Sequence, residues 1–114
     1  MKKVIAIIQP HRLDIVLEKL SKIEISGITI TEARGFGQQK GHSNPSPGAE
    51  LKVNLLFKFK LEIVVEESQV DLLLETVSDG GYTGRYGDGK IFVSDINQAM
   101  RIRTGETNLN ALLI

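Results

Sequence analysis

Phe57-Lys-Phe-Lys-Leu-Glu-Ile-Val-Val65 is the stretch on which the fold turns. Phe57, Phe59, Leu61, Ile63 and Val65 alternate with Lys58, Lys60, Glu62 and Val64, a period of two that predicts a strand with one face on a core. Directly behind it the period lengthens. Val70, Leu73, Leu74 and Val77 recur at helical spacing, and Ser68 with Asp71 three residues on resembles a capping box at the helix start. Asp79-Gly80-Gly81 is the expected stop. A glycine-rich loop over residues 80–90 then leads into a strand at 91–94, followed by a tail over 95–114. This half of the chain reads β-α-β.

The first half repeats that order. Val4 to Ile8 is continuously apolar and β-branched, which suits a strand buried on both faces. Pro10 stops it. Leu13, Val16, Leu17, Leu20 and Ile23 then form a stripe opposed by Asp14, Glu18, Lys19 and Lys22, an amphipathic helix. Gly27 breaks the chain, and residues 28–34 alternate as a second strand. Two β-α-β units with right-handed connections predict a ferredoxin-like split sandwich, an α+β fold with both helices on one face of a four-stranded sheet. The first and last strands are apolar on both faces, Phe92 pointing opposite Ile91 and Val93. With no helix left for the second face, other copies of the chain are expected to cover it, which predicts an obligate homo-oligomer.

Between the halves lies GFGQQKGHSNPSPGAELKVNL, residues 35–55, polar and without period. Loops longer than about 12–15 residues are uncommon in compact domains and are usually functional or disordered. Holding roughly 15 such residues in one conformation costs on the order of 15 kcal/mol of backbone entropy, and nothing apolar over 38–48 offsets it. The segment is expected to order on a ligand or partner.

The totals narrow the class. A chain of 114 residues predicts one domain, 1–114, and 41% apolar residues suffice for a core. Lys plus Arg and Asp plus Glu number 14 each, so nothing points to nucleic acid or an anionic membrane. The absence of cysteine excludes disulfides and thiolate metal sites and fits a reducing cytoplasm. The apolar run after Met1 is too short for a signal peptide, and no segment is expected to insert into a bilayer.

Candidate chemistry is sparse. Gly84-Arg-Tyr-Gly-Asp-Gly-Lys90 fits part of a Walker motif, but Ile91 stands where Ser or Thr belongs and a strand follows, so a P-loop NTPase is rejected. Gly35-Phe-Gly-Gln-Gln-Lys40 misses a dinucleotide fingerprint at its third glycine. Two readings of the first motif stay open on residues alone. Its backbone N–H groups, beside Arg85, Lys90, Arg101 and Arg103, could cradle a polyphosphate, or it is a glycine turn among solvated basic residues. Such short motifs favour the second. His11 and His42 lack metal-ligand spacing. No Ser or Thr sits in a nucleophile's context, and Glu62 reads as a partner for cross-strand charges.

Taken together, Thr29-Ile-Thr-Glu-Ala-Arg-Gly-Phe-Gly37, Gln39-Lys-Gly-His42, Gly48-Ala-Glu50, Thr83-Gly84, Gly87-Asp-Gly-Lys-Ile-Phe-Val93 and Arg101-Ile-Arg-Thr-Gly105 resemble the P-II signal-transduction family from Met1 to about Glu106. The resemblance implies a homotrimer that binds ATP or ADP between subunits, and it favours the phosphate reading of the glycine loop. Nucleotide contacts are implied for Gly27, Thr29 and Val64 at the base, for Gly35, Phe36, Gly37 and Gln38, and for Gly87, Asp88, Gly89, Lys90, Arg101 and Arg103 at the phosphates. It implies 2-oxoglutarate with Mg²⁺ at Gln39, Lys40, Gly41 and Lys58, with no metal site beyond Mg²⁺ through Gln39. A partner-binding T-loop is implied at His42, Ser43, Asn44, Pro45, Ser46, Pro47 and Leu51. The expected function is a cytoplasmic, non-enzymatic nitrogen and energy sensor regulating a target protein, a membrane transporter.

Several positions depart from the family pattern. Leu51 replaces the tyrosine that many members uridylylate, so that switch is chemically impossible here. Ala49 replaces a serine phosphorylated in some relatives, and Pro47 the arginine that plugs the ammonium channel. Gln38 replaces an arginine, which removes a charge from the phosphate site and lowers the expected preference for ATP over ADP. Pro45 and Pro47 stiffen the apex. The alternatives are a slow ATP hydrolase using Glu62, a regulator of heavy-metal efflux or another non-ammonium transporter, and a structural trimer with a decayed nucleotide site.

Overall fold

The alternating stretch around Leu61 lies inside a four-stranded antiparallel sheet, seen in a computed structural model that describes residues 1–36 and 55–113. The strands are β1 (Lys2–Ile8), β2 (Thr29–Gly35), β3 (Leu56–Val65) and β4 (Gly89–Asp95). Their order is β2-β3-β1-β4, with β1 paired to both β3 and β4. Helix α1 (Leu13–Leu20) follows β1 and α2 (Val70–Gly81) follows β3. Single 3₁₀ turns precede each helix, at Pro10–Arg12 and Glu67–Gln69, and a third closes the tail at Asn108–Leu112. This is the expected βαββαβ ferredoxin-like α+β architecture.

Alternation decides which side chains meet. Val4, Ala6 and Ile8 of β1 and Leu61, Ile63 and Val65 of β3 project to the helix side, where Val16, Leu20, Leu73 and Val77 close over them. Each is at most 2% exposed. Burying one such Val, Leu or Ile side chain stabilises the fold by about 1.5–3 kcal/mol. The opposite face is thinner. Ile5 and Ile7 are only half-buried there, and Phe92 is 54% exposed. The row Thr29, Glu62, Ile5 and Phe92 crosses all four strands on this open face, in register.

The local signals were less accurate than the pattern. The capping box is formed by Glu66 and Gln69 rather than by Ser68 and Asp71, because β3 passes through a 3₁₀ turn before the α-helix begins. Gln69 Nε2 also donates to Glu24 O at 2.8 Å, tying this turn to the connection after α1. Gly80 and Gly81 are the last two residues of α2, as the stop signal predicts, and both are buried. A Cβ on Gly80 would lie 2.9 Å from Val16 Cγ2 and 3.1 Å from Val16 Cα, so this glycine lets the two helices touch. Helix α1 ends at Leu20, and Ile23 packs against the core from outside it. Strand β4 starts two residues before Ile91, which puts Gly89 and Lys90 on the ladder instead of in the loop.

Candidate functional site

The loop between α2 and β4 is held from within. Asp88 accepts the N–H of Thr83 at 2.8 Å, the N–H of Gly84 at 2.9 Å and the Thr83 hydroxyl. Burial pushes the Asp88 carboxyl up, but those three bonds, with Arg12 nearby, outweigh it and leave the pKa below the ordinary value. The N–H groups of Thr83 and Gly84 are therefore turned inward to a carboxylate, and the part of the loop left for a ligand is its far edge, residues 87–90. Gly87 has φ +93° and Gly89 φ +104°. The latter is dictated by packing, since a Cβ there would sit 1.7 Å from Ile7 O. Gly89 by itself is thus no sign of an anion.

Strand geometry brings two cations to that edge. Lys90 stands opposite Ile7 and projects from the open face. Lys58, next to the small residues Ala33 and Gly35 of β2, is 7% exposed, and its Nζ donates to Gly87 O at 2.9 Å. Burial pulls its pKa below the usual lysine value, while Asp88 pulls the other way. Gly35, Phe36, Lys58, Gly87, Asp88, Gly89 and Lys90 line one cleft of about 620 Å³. Phe36, 72% exposed, forms its apolar lip.

The other expected site residues lie elsewhere. Lys58 and Val64 are on one strand six residues apart, which is about 20 Å at the usual strand rise. Val64 borders a second pocket with Ser26 and the tail residues Leu109, Leu112 and Leu113. Thr29 is paired with Glu62, and Gly27 just precedes β2. The tail brings Arg101 to this same end. Its N–H bonds Glu106 O at 2.8 Å, and its guanidinium donates to Ala111 O at 3.3 Å and pairs with Glu106 at 3.5 Å. Arg103 is exposed at the turn of the hairpin closed by Met100 and Thr107. The residues expected at the phosphates are therefore divided between opposite ends of one chain. Gly37, Gln38, Gln39, Lys40, Gly41, His42, Ser43, Asn44, Pro45, Ser46, Pro47 and Leu51 lie outside the described residues.

Glu62 sits between Lys3, 2.6 Å away on β1, and Lys60, 3.4 Å away. The Lys3 hydrogen bond first, and Lys60 second, hold its carboxyl below the ordinary range. A carboxylate so paired is a weak proton acceptor, as the charge-pairing reading of this position expects. Among the described residues no group of three or more His, Cys, Asp or Glu could hold a metal ion, and no helix is long and apolar enough to cross a membrane. Residue-by-residue reading missed Arg12, whose Nε donates to Gly80 O at 2.8 Å and braces the end of α2. No local signal marks that contact, which spans 68 positions of sequence.

Comparison with known proteins gives a family. A family model described as "Nitrogen regulatory protein P-II" matches residues 1–106. The chain is 53% identical over 112 residues to the nitrogen regulatory protein P-II of Pasteurella multocida, covering 98% of this chain and all of that protein. It is 54% identical, with the same coverage, to the protein of that name from Haemophilus influenzae. It is also 48% identical over 112 residues to the nitrogen regulatory protein GlnK of Escherichia coli, again across that protein's full length.

Proposed function

Because the chain belongs to the P-II family of nitrogen regulatory proteins, we propose that it is a trimeric cytoplasmic sensor that binds ATP or ADP between subunits and thereby controls a target protein. The division of the site carries this reading. Lys58, Gly87, Asp88, Gly89 and Lys90 sit at one end of the sheet, and Thr29, Val64, Arg101 and Arg103 at the other. No single phosphate group can reach both sets within one chain. A neighbouring copy laid against the open face, with its tail end beside the first copy's loop end, completes the site. That arrangement also covers Ile5, Ile7 and Phe92, the apolar residues that the helices leave uncovered.

The chain's own groups suit a nucleotide in that cleft. Lys90 and Arg103 supply charge to the phosphates, each charge-assisted hydrogen bond contributing about 1.5–3 kcal/mol. The N–H edge at Gly87 is presented by a loop that Asp88 already holds in shape, which lowers the ordering cost of binding. Thr29, Val64 and Gly27 of the second copy border the base. 2-Oxoglutarate with Mg²⁺ joins through Gln39 and Lys58, and residues 42–47 with Leu51 contact the target, a membrane transporter. The family is one of regulators and not of enzymes, and the ion-paired state of Glu62 gives a hydrolase no support. The relatives' names likewise point to nitrogen regulation and lend nothing to a heavy-metal role.

Calorimetric titration with ATP-Mg²⁺ and with ADP, each with and without 2-oxoglutarate, tests the proposal. Saturable nucleotide binding enhanced by 2-oxoglutarate is the expected result. Binding without enhancement would leave an energy sensor in which Gln38 has cost the second ligand. No nucleotide binding would overturn the reading.

A further inference from the structure

Arg12 belongs to a turn that stands between the two ends of the loop joining α2 to β4. Pro10 sets that turn directly after β1, and the Arg12 N–H closes it on Gln9 O at 3.0 Å. On one side the Arg12 side chain reaches the end of α2, where Nε donates to Gly80 O at 2.8 Å. Carbonyls of a helix's last turn have no partner inside the helix, so this bond fills a vacant place. On the other side lies the start of β4. Ile8, which closes β1 just before the turn, pairs with Gly89, and Asp88 therefore arrives beside the turn. Arg12 and Asp88 line one groove with Thr83 and Gly84, whose N–H groups Asp88 accepts. At Asp79 the Lys19 hydrogen bond comes first, and at Asp88 burial opposes the bonds from Thr83 and Gly84. In both, the Arg12 charge helps to hold the carboxyl below its ordinary value. Arg12 thus faces a carbonyl where the loop begins and a carboxylate where it ends.

We propose that Arg12 is a positioning residue for the phosphate edge at residues 87–90: by holding Gly80 and Asp88 together, it fixes the span of the loop and the way Gly87 and Lys90 meet a nucleotide. The effect on affinity rests on the nucleotide reading, whereas the hold on the loop does not. The loop needs such a hold, since Gly84 and Gly87, with φ of +84° and +93°, give its backbone little stiffness of their own. The contacts run on without a break. Arg12 steadies Asp88, Asp88 fixes Thr83 and Gly84, and the neighbouring Gly87 O accepts Lys58 Nζ. Arg12 does not line the cleft of Lys58 and Lys90, so it acts through the loop and not on the ligand. A loop fixed at both ends beforehand loses less freedom on binding. The guanidinium suits this task because its planar fork presents N–H groups in several fixed directions, which a lysine ammonium on a flexible stem does not.

The test compares the full ¹⁵N-labelled chain with Arg12→Gln, Arg12→Lys and Val4→Ala, by amide hydrogen exchange and by calorimetry with ATP-Mg²⁺. Val4 is 0% exposed in the core, so its truncation lowers global stability away from the loop. Arg12→Gln is expected to speed exchange at Thr83 and Gly84 about tenfold beyond any change in β1 and β3, and to weaken ATP about three- to tenfold. Arg12→Lys, which keeps the charge, should fall between parent and Arg12→Gln. Val4→Ala should raise exchange across the sheet and keep the ATP affinity. Should Arg12→Gln fold poorly, Arg12→Lys decides by the same comparison. Exchange at Thr83 and Gly84 that changes no more than in the sheet would overturn the proposal. So would an unchanged ATP affinity in a loosened loop, or an equal loss of affinity in Val4→Ala. The two readings fail separately. If the parent binds no ATP and the loop still loosens in Arg12→Gln, the hold on the loop stands and the sensor falls. If ATP binds and neither loop nor affinity responds to Arg12, the reverse holds.

Discussion

Asp88 shows how one side chain can hold a loop in shape from within. Its bonds to Thr83 and Gly84 are local, and loss of them would leave two N–H groups without partners. Asp88→Ala is expected to destabilise the fold by about 1–2 kcal/mol, read by urea unfolding, and to loosen nucleotide binding through the loop. The pH dependence has a definite sign. Because the folded-state pKa lies below the ordinary 3.8, the contribution is complete above that value and is lost as pH falls through the lower folded one. The Asp88→Ala protein should therefore differ from the parent at neutral pH and converge on it in acid. Lys90 is the contrasting case, an exposed cation on the ladder. Lys90→Met should leave the unfolding curve unchanged and weaken ATP by about ten- to a hundredfold in calorimetry.

Among the elements, the contact between α1 and α2 is the most sharply constrained. Gly80 costs helix propensity, about 1 kcal/mol against alanine, and the close approach to Val16 accounts for it. Gly80→Ala therefore combines a gain in propensity with a clash against backbone as well as side chain. The clash should prevail, with a net loss of about 1–2 kcal/mol in denaturant unfolding and no change in the folded nucleotide site. A stabilised Gly80→Ala protein would mean that the helices are free to separate. Asp79-Gly80-Gly81 ends the helix as its propensity predicts, and only the presence of Val16 across the interface explains why Gly80 has to be a glycine. Strand periods were legible because each strand's own alternation encodes its two faces. The capping residues were not, since a 3₁₀ turn shifted the start by two positions.

For the whole molecule, the separation of the proposed site into two ends makes assembly a condition of the proposed function. Neither set of residues is complete alone. The decisive experiment is complementation between two inactive variants, Lys90→Met and Arg103→Ala, refolded together in equal amounts. If each site is built from the loop of one copy and the tail of the next, about a quarter of the sites contain neither substitution and recover full affinity. If each site lies within one chain, no site is restored. Sedimentation of the parent protein should give three chains per particle, and Phe92→Asp should reduce that mass by placing a charge on the uncovered apolar face.

Much of this protein is set by the sequence alone. The period-two runs, the helical stripes and their order specify the sheet, its helix-covered face and an apolar surplus on the other face, because strand and helix periodicities are local properties of a polymer seeking to bury one side. The motifs matching the P-II family also lie plainly in the chain. The tertiary structure alone decided that Gly80 abuts Val16 of α1, that Asp88 is spent on its own loop, and that Lys90 rides on a strand. It also decided that Arg12 meets the end of α2 at Gly80 and that the two sets of expected site residues lie at opposite ends of the sheet. Each of these depends on which distant residues share a neighbourhood, and such distances are fixed by packing and strand register rather than by any local pattern.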